Sequence, residues 1–218
     1  MTVVLWDSLG TLLDLTPVRD RFPSPDGFEV WLERTLHTGV ALSLAGEFQP
    51  FEAVAEAALP PGVQGALDAL RHELRPHADA EEALDVLDAA GIESWVVTNG
   101  GRDATLAALA RGGLEERFRG VVSIDDVQAW KPAREPYAEA LHRAGAEPAA
   151  AWLVAAHAWD VHAAALHGLH AVWVDRLEGR WPLPVAEADN RAGDLPGAAR
   201  IVAGPARVVA GPVGPPRP

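Results

Sequence analysis

Four places in the chain set a chemically active side chain directly behind a short apolar run. Asp7 follows Val3-Val4-Leu5-Trp6, and Thr98 and Asn99 end the run that starts at Ser94. Trp130-Lys131-Pro132 comes after the run 120–124, and His157-Ala158-Trp159-Asp160 after the run 151–155. Two carboxylates, a hydroxyl, an amide and an ammonium are the groups of covalent and acid–base catalysis. Lys131 is the single lysine among 18 basic residues, and the single tyrosine, Tyr137, lies shortly after it. A compact ammonium on a flexible stem does work that a planar guanidinium cannot. Taken alone, Asp7 reads equally well as a cap for the turn or helix that follows. Lys131 alone reads as drift in an arginine-rich composition.

The apolar runs are strand-like, and helical patterns separate them. EEALDVLDAAG precedes the second run, GRDATLAALARGGL the third and REPYAEALHRAG the fourth, while DVHAAALHGL precedes a fifth at 171–174. Such alternation predicts an α/β fold with a Rossmann-like parallel sheet and helices on both faces. A parallel sheet brings all its strand ends to one edge, so the four polar sites meet at one crevice and the drift reading of Lys131 loses weight. Residues 15–77 break the rhythm. WLERTLHTGVALSLAGEF, PFEAVAEAAL and GVQGALDALRHEL are helical in spacing, and together are far longer than an ordinary strand–helix connection. They predict an inserted α-helical cap over 15–77, with 1–14 and 78–203 as core and 204–218 as a Gly/Pro-rich tail.

The chain's 218 residues, 49% hydrophobic and 22% charged, fit one soluble globular core with an insert. A net charge of −13 argues against nucleic acid or an anionic membrane as partner. No stretch approaches the ~20 apolar residues of a membrane span, and the N-terminus has no signal-like core. Without cysteine there is neither disulfide nor thiolate chemistry. A cytoplasmic enzyme is the expectation.

In their order along the chain, WDSLGTLLD, VVTNGG, WKPAREPY and AAHAWD resemble the four-motif signature of the haloacid dehalogenase superfamily. The resemblance covers nearly everything but the tail. It is closest to the type II 2-haloacid dehalogenases, whose look the stretch from Trp31 through Phe51 shares, as does the spacing from Lys131-Pro132 to Tyr137. It implies a Rossmann-like core, a cap inserted after the first strand, and Asp7 as nucleophile. Asp7 would attack C2 of a small 2-haloalkanoate, expel halide with inversion and leave an aspartyl ester. Water activated near Asp160 would hydrolyse that ester. Lys131 would position Asp7 and offset the crowded negative charge, which otherwise raises a carboxyl pKa. Thr11, Thr98 and Asn99, with backbone N–H groups of the first loop, would orient nucleophile and substrate carboxylate. Ser8, Leu9, Leu32, Phe51, Tyr137, His157 and Trp159 complete the substrate-binding set that the resemblance implies. It implies no metal and no other cofactor, a small-molecule carboxylate as partner, and a homodimer.

Leu9 selects the branch. Superfamily phosphatases carry a second aspartate two residues after the nucleophile, whereas a leucine side chain neither donates nor accepts a proton. A departing halide needs no proton, while phosphate ester cleavage gains ~10²–10⁴-fold from one. The alternatives are an Mg²⁺-dependent phosphatase and a catalytically impaired relative that binds an acid. Other positions also depart from the dehalogenases, which usually carry tyrosine at Leu9, arginine at Leu32, and serine and asparagine at Ala155 and His157. Arg34 does not replace the arginine, since two residues along a helix turn ~200° to another face. The halide cradle is expected to be poor unless His157 or a cap arginine fills it.

Other features have plainer readings. His157, His162, His167 and His170 suggest a metal cluster, but i to i+5 steps turn ~500° and scatter around a helix. Of these His157, at a strand end, reads as a pocket residue. The eight tryptophans read as packing, apart from Trp159 in its motif. Asp125-Asp126 reads as capping, and Asn99-Gly100-Gly101 is a weak phosphate-loop pattern.

Overall fold

The computed structural model describes residues 2–204. Apart from Gly204, the tail read from 204 to 218 lies outside the described residues. In chain order the elements begin β1 (Val3–Trp6), β2 (Leu13–Asp14), α1 (Thr16–Arg19), α2 (Pro25–Leu44), α3 (Phe51–Ala58), α4 (Ala66–His72) and β3 (Arg75–Pro76). Then come α5 (Ala80–Ala89), β4 (Glu93–Thr98), α6 (Arg102–Arg111), β5 (Val121–Ser123) and α7 (Arg134–Ala144). The chain continues through β6 (Ala151–Ala155), α8 (Ala158–Leu166), β7 (His170–Val174), β8 (Arg191–Ala192) and α9 (Leu195–Ala203).

A six-stranded sheet runs β5-β4-β1-β6-β7-β8, parallel throughout. This is the expected α/β architecture. Strand order reverses at β1, whose residues Val3 to Trp6 pair with Glu93 to Val96 on one side and Ala151 to Val154 on the other. A strand flanked on both sides and covered on both faces reads as continuously apolar, and all of VVLW is buried. Alternate side chains go to opposite faces. Val4 and Trp6 join Leu84, Leu87, Leu195 and Val202, while Val3 and Leu5 join Tyr137, Leu141 and Val161.

Helix α2 starts before the Trp31 expected from apolar spacing. The Ser24 side chain accepts from Gly27 N at 3.2 Å and Pro25 takes the first helical position, so local capping sets the boundary. Ile124 leaves the third strand for a 3₁₀ turn, where Ser123 and Asp126 form a capping box, the role expected of Asp125-Asp126. Between β2 and β3 the described elements are all helical, and the two strands pair antiparallel, Leu13 with Pro76 and Asp14 with Arg75. The helical segment therefore begins and ends at adjacent points, in a two-stranded pair separate from the main sheet. Phe22, Phe28 and Trp31 cluster with ring centroids 5.2–5.8 Å apart, and Trp31 Nε1 donates to Ala55 O at 2.9 Å, joining α2 to α3.

Trp130, from the loop after β5, fastens this segment to the core. Its backbone N donates to Ser43 Oγ at 3.2 Å, its Nε1 donates to Gln49 O at 2.9 Å, and its ring stacks on Phe51. It reaches α2 because residue 39 is glycine: a Cβ there would lie 2.3–2.5 Å from indole atoms. Alanine in place of glycine normally favours a helix by about 1 kcal/mol. Here the clash should reverse the sign, with Gly39→Ala losing about 1–3 kcal/mol in urea unfolding. Combined with Trp130→Leu, which removes the obstructing ring, the losses should be less than additive.

Candidate active site

The strand ends meet where the parallel sheet requires. Asp7 extends β1 by one hydrogen bond, its N donating to Val154 O at 3.0 Å, and its carboxylate lies at the reversal point. Lys131 Nζ is fully buried and donates to Asp7 Oδ1 at 2.7 Å, Asp160 Oδ2 at 2.6 Å and Val97 O at 3.1 Å. Those three acceptors use all three ammonium hydrogens. The other Asp7 oxygen, Oδ2, accepts from Thr11 Oγ1 at 2.6 Å and lies 3.1 Å from His157 Nδ1. Thr11 Oγ1 in turn accepts from Ala156 N at 2.9 Å, fixing the direction of its hydroxyl hydrogen.

Burial would raise the Asp7 pKa, but the charge of Lys131 and the hydrogen bond and charge of His157 outweigh it and hold the carboxyl well below the usual range. Asp160 goes the other way, raised by burial and by the charge of Asp7 against the opposing pull of Lys131. Burial would lower Lys131, yet Asp160 and Asp7 together raise it. Burial would likewise lower His157, and the Asp7 hydrogen bond and charge raise it. Two carboxylates thus face one ammonium and one imidazole that favours its charged form, a near-neutral group.

A cleft of about 1270 Å³ opens beside this group. Lys131, His157, Trp159 and Gly10 line its core side, and Phe28, Leu32, Leu36, Val40 and Leu44 of α2 line the opposite wall. Of the residues expected at the substrate, Leu32, His157 and Trp159 therefore border the cleft. Ser8, Leu9, Phe51, Thr98, Asn99 and Tyr137 are not among its lining residues. Ser8 Oγ and Thr98 Oγ1 are buried against each other at 2.5 Å, and Asn99 Oδ1 accepts from Lys131 N at 3.0 Å. Leu9 and Phe51 share a small separate apolar hollow with Leu13, Leu70 and Leu74. Tyr137 donates its hydroxyl to Asp160 Oδ1, and burial followed by the Asp160 charge raises its pKa well above normal. Asp160 is itself fully buried, with both oxygens bonded, so it borders no space in which to activate water.

The fifth strand end, left out of the sequence reading, also contributes. Arg176 donates to Thr11 O at 3.3 Å and to Asp79 Oδ2 at 2.5 Å, and Glu178 accepts from Ala158 N and Trp173 Nε1. The signal was present, because Asp175-Arg176 follows an apolar run as Asp7 does. Among the described residues no three His, Asp or Glu side chains converge as metal ligands. His167 Nε2 lies 3.1 Å from Pro132 O, and His170 packs on Trp152.

A sequence profile described as haloacid dehalogenase-like hydrolase matches residues 59–174. The chain belongs to that family. It is 27% identical to (S)-2-haloacid dehalogenase 1 of Pseudomonas sp. (strain CBS-3), over 79% of this chain and 84% of that one. It is 28% identical to the (S)-2-haloacid dehalogenase of Xanthobacter autotrophicus, over 80% of this chain and 75% of that one. The solved structure of an L-2-haloacid dehalogenase from Xanthobacter autotrophicus superposes with a TM-score of 0.81 at 25% identity, covering 94% of this chain and 100% of that one. A phosphatase of the same fold from Thermococcus onnurineus gives 0.67, covering 93% of this chain and 98% of that one, at 24% identity. No described helix of this family member is long and apolar enough to cross a membrane.

The charge balance can be tested by removing its centre. Lys131→Met leaves two buried carboxylates facing each other, and both pKa values should rise above the unfolded range. A carboxyl held above its unfolded pKa costs stability as pH rises through that range. The low pKa of wild-type Asp7 does the opposite, adding stability above the unfolded value that is lost only as pH falls through the lowered one. Lys131→Met should therefore lose about 3–5 kcal/mol at neutral pH and recover part of it in mild acid, in urea unfolding followed against pH. An equal loss at every pH would show that packing, not charge, is what Lys131 supplies.

Proposed function

We propose that the protein is a hydrolytic dehalogenase of small 2-haloalkanoic acids that works through an ester on Asp7. The observation that carries this reading is a carboxylate at the end of β1, kept ionised by Lys131 and His157, which both line an open cleft. An ionised carboxylate suits displacement of a halide, which departs without needing a proton. The acid a phosphatase would place two residues on is Leu9, whose side chain lies in an apolar hollow away from the cleft. The named relatives act on (S)-2-haloacids, which supports C2 of that enantiomer as the point of attack.

In this mechanism an Asp7 oxygen bonds to C2 as the carbon–halogen bond breaks and the halide departs with its electron pair. Thr11 and Lys131 hold the carboxylate in position, so orientation is established before substrate arrives. Water then attacks the ester carbonyl carbon and releases the 2-hydroxy acid. Lys131 supplies fixed positive charge between the two carboxylates, and neither metal nor organic cofactor enters the reaction. A cytoplasmic homodimer accompanies this reading on the strength of the family resemblance alone.

Halide release from (S)-2-chloropropionate, measured with a chelator present, tests the reading directly. Asp7→Asn should abolish release while keeping the fold, and one turnover in H₂¹⁸O should place label in the Asp7 carboxylate. Label confined to the product would rule out the ester. Restoration of a chelator-blocked activity by Mg²⁺ on phosphate esters would favour the phosphatase instead.

Leu32 bears on rate. It lines the cleft at the position where the family resemblance implies an arginine that receives the halide, and a charge-assisted hydrogen bond contributes about 1.5–3 kcal/mol. That corresponds to a handicap of roughly 10–200-fold. Leu32→Arg should raise kcat/KM on chloroacids, read by initial rates of chloride release. No gain would mean that another group already receives the halide.

A further inference from the structure

The cleft beside Asp7 is far larger than a three-carbon acid. Its volume is about 1270 Å³, whereas clefts of roughly 300–1,000 Å³ already hold drug-sized ligands. A three-carbon 2-haloacid displaces only a few waters, on the order of 100 Å³ at about 30 Å³ each. The surplus has a direction. Beyond Leu32 the α2 wall continues as Leu36, Val40 and Leu44, spaced four residues apart and all lining the cleft. From Leu32 to Leu44 the stripe runs about 18 Å, at 1.5 Å per residue. Leu36 and Val40 are half-buried and Leu44 is exposed, so each leaves apolar surface uncovered. Single apolar side chains on a surface need no explanation, but a continuous stripe inside a binding cleft marks a place for a ligand.

The charges around the cleft narrow what could cover the stripe. Arg19 is paired with Glu29 and Arg176 with Asp79, so the charge of each is already balanced. Lys131 has no hydrogen to spare. Glu33 and His37 flank the stripe and are exposed to solvent. The stripe itself offers neither donor nor acceptor. What lies along it is hydrocarbon.

We propose that the preferred substrates are 2-haloalkanoic acids whose C2 carries an unbranched alkyl chain of several carbons, laid along Leu36, Val40 and Leu44. This rests on the dehalogenase reading above and concerns the same site. The reacting end stays at Asp7, and the chain passes Leu32 into the open cleft. Covering the stripe removes apolar surface of both partners from water, so each added methylene strengthens binding until the stripe is full. Substrate and transition state gain alike. The effect therefore falls on KM and kcat/KM and leaves kcat nearly level.

The test is a series of (S)-2-chloroalkanoates from propionate through butanoate and hexanoate to octanoate, read by initial rates of chloride release. Fully burying a methylene corresponds to about a fourfold gain, so kcat/KM should climb about two- to fourfold per carbon. Leu36→Asn and Val40→Asn should each flatten that climb, with circular dichroism to check the fold. Leu36→Met keeps the apolar surface and should keep the slope. Equal kcat/KM at every length, or a fall with length, overturns this assignment and leaves the dehalogenase reading standing. An unchanged slope in Leu36→Asn overturns it too, and if sedimentation then shows a dimer lost, the stripe belongs to a second copy of the chain. If no acid in the series releases chloride, the dehalogenase reading fails and takes this assignment with it.

Discussion

The site depends on one buried ammonium. Taking a lysine fully out of water costs several kcal/mol, and only well-placed acceptors offset that cost. Lys131 has such acceptors in Asp7, Asp160 and the Val97 carbonyl, and with three donors used it has none left for a substrate. It is a fixed charge, not a ligand. The surroundings follow from this. Tyr137 completes Asp160, Asn99 holds the Lys131 backbone, and Thr11 fills the remaining side of Asp7. Val97 lies in β4, Asp7 directly follows β1, and Asp160 sits in the first turn of α8 after β6, so the three acceptors converge only when these adjacent strands are in register.

The sheet and the meeting of Asp7, Lys131, His157 and Asp160 were legible because both rest on simple rules. Buried parallel strands are apolar runs, and their ends share an edge. Direction was not legible. Spacing places Leu9 and Asn99 close to Asp7 along the chain or the sheet edge, but it does not say that Leu9 turns toward Phe51 or that Asn99 turns toward the Lys131 backbone. Two-residue strands such as β2, β3 and β8 are too short to show any period. Helix α9 did carry a signal, Asp194 capping onto Gly197 N at 2.7 Å with a proline early in the helix, but this is a cap and not a periodic pattern. Arg176 and Glu178 were missed for a simpler reason, since the reading of strand ends stopped one strand short.

Chemistry and fit are carried by different parts of the chain. The reacting groups follow strand ends, and Asp7, Lys131 and Asp160 are buried among their neighbours. The facing wall is one helix stripe, Phe28 to Leu44 at four-residue intervals, only one side of which must stay apolar. Side chains on that stripe can change size without disturbing the ammonium, whereas almost nothing around Asp7 can.

Trp130 lies directly before Lys131 and is held by α2 through Ser43 and by stacking on Phe51 of α3. Gly39 has no room for even a methyl group while that indole is in place. The two positions are therefore not free to drift independently. Over long divergence a larger residue at 39 becomes tolerable only in lineages that have already shrunk residue 130, and a bulky 130 survives only opposite glycine. Within this family the pair should leave a correlated pattern of substitution, a historical trace of how the helical segment is tied to the loop bearing the ammonium.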